Sequence, residues 1–180
     1  MSIQPGTYTV GPDNGELVVR TARSGPAAKA GHDLVIDVSS WNATLEVAGD
    51  PGQSRVELEA DGGSLIVRDG TGGVQALGED DKRGIRKTID KEILKRTAIR
   101  FTSTSVSVNA DDSLEVEGEL ELLGRRSQIS FEISRSQDGR LSANAVVKQT
   151  GWGIKPYSTL FGTLKVADEV QVTFTGTVGS

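Results

Sequence analysis

This sequence predicts an all-β fold: an antiparallel barrel of about eight strands carrying one inserted α-helix. Three observations carry that reading. Short segments with an apolar residue at every second position recur along the chain, the period of a strand with one buried and one solvated face. Glycine is abundant, at 22 residues against 5 prolines, which suits tight turns and bulges. Only the segment 78–96 switches to a helical period. With 180 residues, the chain fits a single domain, 1–180, large enough to bury a substantial core.

Residues 6–10 and 16–21 read as two strands around the turn GPDNG. Leu34, Ile36 and Val38 then alternate, but the phase shifts at Ser39–Ser40 to Trp41, Ala43, Leu45 and Val47. A phase change within one long strand predicts a bulge or bend, which curved barrels need. Val56, Leu58 and Ala60 form the next strand, and DGG at 61–63 turns it into SLIVRD. In GEDDKRGIRKTIDKEILKR, Ile85, Ile89 and Ile93 make a narrow apolar stripe, predicting an amphipathic helix over about 79–95. Its acidic start and basic finish suit the helix dipole, and its charges read as a solvated face.

Ile99 and Phe101 begin a strand that runs through FTSTSVSV. The clearest strand is 114–122, LEVEGELEL: Leu114, Val116, Gly118, Leu120 and Leu122 share one face, and Glu115, Glu117, Glu119 and Glu121 the other. Cation or partner binding is the functional reading of that stripe; a solvated outer face is the simpler one. LGRRSQ turns the chain into a strand with Ile129, Phe131 and Ile133, so the pair forms a hairpin. Residues 141–148 supply another strand. The chain then reaches 151–174, where four of its eight aromatic residues fall: Trp152, Tyr157, Phe161 and Phe174. Pro156 can open a helical turn near 156–163, with Tyr157, Leu160, Phe161 and Leu164 at the spacing of one apolar face. Val170, Val172 and Phe174 close the fold as a strand. This cluster is expected to plug the core or wall a ligand cavity.

Composition narrows the chemistry. A net charge of −5 and a pI near 5.0 argue against a nucleic-acid partner, which needs a basic excess. With no cysteine, disulfides, thiolate metal sites and cysteine nucleophiles are all removed. The sole histidine, His32, lies beside Asp33, but neighbouring strand residues point to opposite faces. No serine sits in a nucleophile elbow, no metal-ligand spacing is present, and no cofactor is indicated. RDGTGGVQALG lacks the Gly-Lys-Ser/Thr ending of a P-loop and reads as a surface loop. Arg20, Arg23, Lys29 and His32 cluster near a strand start and can ring a barrel mouth. MSIQPGTYTV has no basic and apolar regions of a secretory signal, and no apolar run is long enough to span a bilayer. The expectation is a cytoplasmic protein without stable membrane insertion.

Four segments in order, GTYTVGP, IDKEILKRTAIRFTSTSV, LEVEGELELLGRRSQISFEI and GTLKVADEVQVTFTG, give nearly the whole chain a resemblance to the YceI-like family. Many relatives carry an early His-Ser element and a His-rich strand; here the corresponding stretches read DNGELVVRT and KAGHDLVIDVSSW. The resemblance implies a lipocalin-like barrel that binds a polyisoprenoid lipid, acting as carrier or reservoir rather than as an enzyme; a homodimer is compatible with it. The ligand contacts it implies are Trp41, Phe101, Leu120, Phe131, Trp152, Tyr157, Phe161 and Phe174, with His32 as a polar contact. Gly118, Ala43 and Ala145 are expected to leave room for the chain. Two other readings stay open: a barrel filled by its own side chains, with its function on the acidic exterior, and a lipid-modifying enzyme using His32.

Overall fold

The structure, a computed structural model, describes residues 2–178; the domain expected over 1–180 extends beyond them at both ends. The N-terminal half carries β1 (Gly6–Val10), β2 (Gly15–Thr21), β3 (Arg23–Ser24), β4 (His32–Val38), β5 (Trp41–Val47), β6 (Arg55–Asp61) and β7 (Leu65–Gly72). Helix α1 (Glu79–Thr88) follows and runs into a π-helical turn, Ile89–Ile93. Next come β8 (Ala98–Val108), β9 (Leu114–Leu122), β10 (Arg125–Arg135) and β11 (Arg140–Lys148). The last are β12 (Ser158–Thr159), β13 (Leu164–Val166) and β14 (Glu169–Thr177).

Eleven of these strands form one antiparallel sheet in the order β1-β5-β6-β8-β9-β10-β11-β14-β2-β4-β7. They amount to eight staves, because three long strands are bent in the middle. β1 and β2 run in line along β5 and β4, from Gly6 opposite Val47 to Thr21 opposite Leu34. On the other side β6 and β7 follow the same bent strand, from Arg55 opposite Glu46 to Gly72 opposite His32. β14 pairs with both β11 and β2, so the order returns to its start and the barrel closes. The predicted count of about eight strands is met in this sense.

The corner sits where the hydrophobic phase shifts. Ser39 N–H donates to the Ser64 carbonyl and Asp61 N–H to the Ser40 carbonyl, both at 2.9 Å. Ile36 and Val38 before the corner and Trp41 and Leu45 after it are all buried, so the one-residue slip in phase keeps both halves facing inward. β8 uses a bulge for the same end. Its register against β9 shifts between Ser103 and Ser105, which takes the inward phase from Phe101 to Val106, both buried.

β8 starts at Ala98 opposite Asp61, so β7 extends past it with no strand beside its outer edge among the described residues. An uncovered edge invites pairing with another chain. Here α1 packs on β7, and Ile85, Ile89, Ile93 and Leu94 turn toward the core. Asp81 accepts a hydrogen bond from Gly78 N–H at the helix start. The helix predicted over about 79–95 is therefore the cover of the β7 edge.

Residues 156–163 fold differently from a helical face. β12 and β13 form a small hairpin, extended by β3 into a three-stranded sheet. Its tip is a single 3-10 turn, Leu160–Gly162. Leu160 and Phe161 lie at φ 52° and 55°, in the left-handed region that a helix of L-residues cannot continue through. The i, i+3, i+4, i+7 spacing of Tyr157, Leu160, Phe161 and Leu164 thus has no helix to act on.

Trp152 ends the turn Gln149–Trp152 and is buried, its indole N–H donating to the Leu120 carbonyl at 2.7 Å. Trp152→Phe keeps most of the apolar bulk and removes that hydrogen bond. We expect a loss of about 0.5–1.5 kcal/mol, read as a lower urea midpoint at unchanged m-value.

Candidate ligand cavity

Inward-facing side chains of nearly every strand enclose one continuous cavity of about 1130 Å³. Ordinary small-molecule sites measure about 300–1,000 Å³, so this one is large for a barrel of eight staves. Its wall is mainly aliphatic. Leu17 and Val19 come from β2, Leu34 and Ile36 from β4, Leu120 and Leu122 from β9, and Val170 and Val172 from β14. Ala43, Ala143 and Ala145 line it from opposite sides and contribute little bulk. Ile85, Ile89 and Ile93 close it from the helical cover.

The cavity does not reach the far end of the barrel. There Val106, Leu114 and Val116 are buried and fill the interior themselves. Its opening lies at the opposite end, among residues 23–32, 74–85 and 157–166. Polar groups gather at this mouth. Arg23 donates to the Gly31 carbonyl at 2.9 Å, and its backbone N–H donates to Asp33 at 2.8 Å. His32 Nε2 lies 2.7 Å from the Gln75 carbonyl. Thr21 also lines the cavity, and its buried hydroxyl has no hydrogen-bond partner among the described residues.

The glycine-rich loop between β7 and α1 builds part of this rim. Gly72 and Gly73 lie at φ 84° and 76°, conformations open to glycine. Space decides as well: a Cβ at Gly73 would fall 2.5 Å from His32 Nε2, and one at Gly72 only 1.6 Å from Arg23 Nη1. These glycines let the chain fold back over the two basic residues. Beside the mouth, Asp168 ties the turn at 149–152 to the start of β14. Its carboxylate accepts from the Thr150 hydroxyl at 2.6 Å and from Thr150 N–H at 2.8 Å. The hydroxyl first, and then the N–H, hold that carboxyl below the usual aspartate range.

Of the expected ligand contacts, Phe101, Leu120, Phe131, Phe174, Tyr157 and His32 line the cavity. Phe101 and Phe131 pack with their ring centres 5.1 Å apart. The structure places the other three elsewhere. Trp41 is buried in the core, meeting Phe174 edge-on at 5.8 Å. Trp152 is held outside the wall by its bond to the Leu120 carbonyl. Phe161 stands at the hairpin tip with its side chain in solvent, 108% exposed. Gly118 also departs from expectation: a Cβ there would sit 2.5 Å from Phe101 Cζ, so the missing side chain makes room for Phe101, not for a ligand.

The wall residues of β4 and β14 were legible as the inward phase of alternating strands, whereas β2, with Leu17, Val18 and Val19 in a row, was legible only as a strand. The isoleucine stripe of the helix was legible as an apolar face, without sign that it meets a cavity. Nothing in the sequence marks Gln75, whose part is played by a backbone carbonyl. Among the described residues no group of three or more His, Asp and Glu side chains is placed to hold a metal ion. No helix there is long and apolar enough to cross a membrane.

A family model described as the YceI-like domain matches residues 8–178. The chain belongs to the YceI-like family. Among solved structures, Burkholderia cenocepacia BcnA is similar at TM-score 0.67 and 14% identity, over 95% of this chain and 99% of BcnA. A mutant of the Campylobacter jejuni YCEI protein is similar at TM-score 0.55 and 10% identity, over 81% of this chain and 84% of that one. At these identities the structural likeness concerns the fold. No curated protein matches the chain. The YceI-like barrel here is thus a lipocalin-like antiparallel barrel in which a short helix covers one strand edge.

Proposed function

We propose that this YceI-like protein binds one amphiphilic isoprenoid or other long-chain lipid inside its barrel, as a carrier or reservoir and not as an enzyme. The single observation that carries this reading is the cavity itself: about 1130 Å³, walled by aliphatic and aromatic side chains, open at one end where Arg23, His32 and Thr21 supply the polar groups. Each buried methylene is worth about 0.8 kcal/mol, so one five-carbon isoprene unit contributes roughly 3–4 kcal/mol gross. Ordering a flexible chain offsets part of that gain, about 0.5–1.5 kcal/mol for each immobilised rotamer-rich group. Several buried units therefore bind tightly without a strong polar contact. In this reading the tail lies along Phe101, Leu120, Phe131 and Phe174, and the polar end sits near Tyr157 and His32.

A barrel filled by its own side chains is the weaker alternative, because protein interiors have few voids larger than a water molecule. A lipid-modifying role for His32 is weaker still, since Nε2 is engaged with the Gln75 carbonyl. The test is organic extraction and mass spectrometry of protein purified from its native host, followed by titration of stripped protein with a polyprenyl lipid. We expect a long-chain lipid to co-purify at up to one per barrel and to reload the stripped protein. Protein that is lipid-free on isolation and does not take up the added lipid sinks the proposal.

A further inference from the structure

We infer that the hairpin at the cavity mouth docks this protein end-on against an anionic lipid surface. The inference rests on the lipid-binding reading of the cavity and adds how the barrel meets the membrane that holds its ligand. Three independent observations meet at the hairpin. Its tip is apolar and uncovered: Phe161 is 108% exposed and Leu160 53%, and Val74 on the neighbouring rim loop is 83% exposed. The tip is also held in a costly backbone conformation, with Leu160 and Phe161 both at positive φ. Left-handed geometry at non-glycine residues is unfavourable and gathers at sites of function. Here it projects a phenyl ring that makes no use of the protein's own core.

The third observation is charge. The two segments that carry the hairpin and its partner strand, 22–31 and 150–167, hold Arg23, Lys29, Lys155 and Lys165 and no carboxylate. The whole chain has net charge −5, so the rest of it carries −9. Lys29, Lys155 and Lys165 are exposed and form no ion pair among the described residues. The acids of the opposite rim are engaged locally: Glu79 with Lys82, Asp80 with Arg83, and Asp81 with Gly78 N–H. On the barrel's outer wall Glu115, Glu117 and Glu119 of β9 form no ion pair among the described residues, so an anionic surface repels the sides and attracts the mouth. The basic rim, the apolar tip and the cavity opening share one end of the molecule, which matches a bilayer's charged headgroups, hydrocarbon and extractable lipid.

The test is co-sedimentation with phosphatidylcholine vesicles and with vesicles containing phosphatidylglycerol. We expect partition into the anionic vesicles, falling as salt is raised. Phe161→Ser should lower that partition about tenfold or more, from the loss of one inserted aromatic side chain, while loading of detergent-delivered polyprenyl lipid stays at the wild-type level. Replacing Lys29, Lys155 and Lys165 together by Gln should remove most of the preference for anionic lipid, at roughly fivefold per charge. Equal partition of wild type and Phe161→Ser overturns the inference, as does wild type that ignores both vesicles. So does analytical ultracentrifugation in which Phe161→Ser turns a dimer into a monomer without changing vesicle binding, since the tip is then a contact between two copies. Loss of lipid loading in the wild type, by contrast, strikes the cavity reading and not the docking surface.

Discussion

Ala43→Phe and Ala145→Phe should each lower uptake of a polyprenyl lipid by about an order of magnitude or more while leaving the barrel folded. Both alanines line the cavity, one from β5 and one from β11. A phenyl ring buries about 150–250 Å² and takes space the ligand would use. Displacing only two methylenes forfeits about 1.6 kcal/mol, which is roughly fifteenfold in affinity. The sign of the stability change makes the test diagnostic. In a filled interior such an enlargement costs about 1–3 kcal/mol. In an open apolar cavity the new ring gains burial instead, up to about 1.5–3 kcal/mol, so the melting temperature should hold or rise. Weaker uptake at an unchanged or higher Tm supports an open cavity. Unaltered uptake in both variants, or a clear loss of Tm with both, means that these positions are packed and the cavity lies elsewhere.

Gly118→Leu should be the most damaging single substitution of the barrel wall, destabilising it by about 3 kcal/mol or more. A Cβ at this position would lie 2.4 Å from the Thr102 carbonyl oxygen and 2.5 Å from Phe101 Cζ. The ring could swing away, but the carbonyl belongs to β8 beside β9 and cannot yield without breaking the strand pair. Gly118→Ala should therefore also destabilise, and removing the ring with Phe101→Leu should relieve only part of that effect in a double-mutant cycle. Chemical denaturation of the four proteins measures it. Wild-type stability in Gly118→Leu would mean that Phe101 does not lie over Gly118. Phe161→Trp, at the exposed hairpin tip, supplies the contrast and should move stability by no more than about 0.5 kcal/mol.

Much of the fold was legible because a strand's side chains alternate strictly. The phase shift at Ser39–Ser40 marked the barrel corner, and the glutamates of β9 marked its outer face. The bulge in β8 was harder to see, because FTSTSV offers Ser and Thr at every candidate position and only the register with β9 shows where the extra residue falls. The stripe Tyr157, Leu160, Phe161, Leu164 misled for a definite reason. Residue spacing reports a helical face only if the backbone takes helical angles, and Leu160 and Phe161 do not. Six of the nine expected contact residues reached the cavity wall. Trp41, Trp152 and Phe161 did not, since aromatic character alone does not separate a core ring, a hydrogen-bonded indole and a solvent-facing tip.

By itself, then, the sequence determined the strand phases, the one helix, the polar outer wall and the family to which the chain belongs. These are local properties, written in periods of two and 3.6 residues and in the order of short motifs. Tertiary structure alone decided that the inner faces stand far enough apart to leave an open cavity, with its mouth among residues 23–32, 74–85 and 157–166. It also decided that Gly118 serves Phe101 and that Phe161 faces outward. Each of these depends on distances between residues far apart in the chain. Those distances come from the closure of eight staves, β14 meeting β2, which no local pattern encodes.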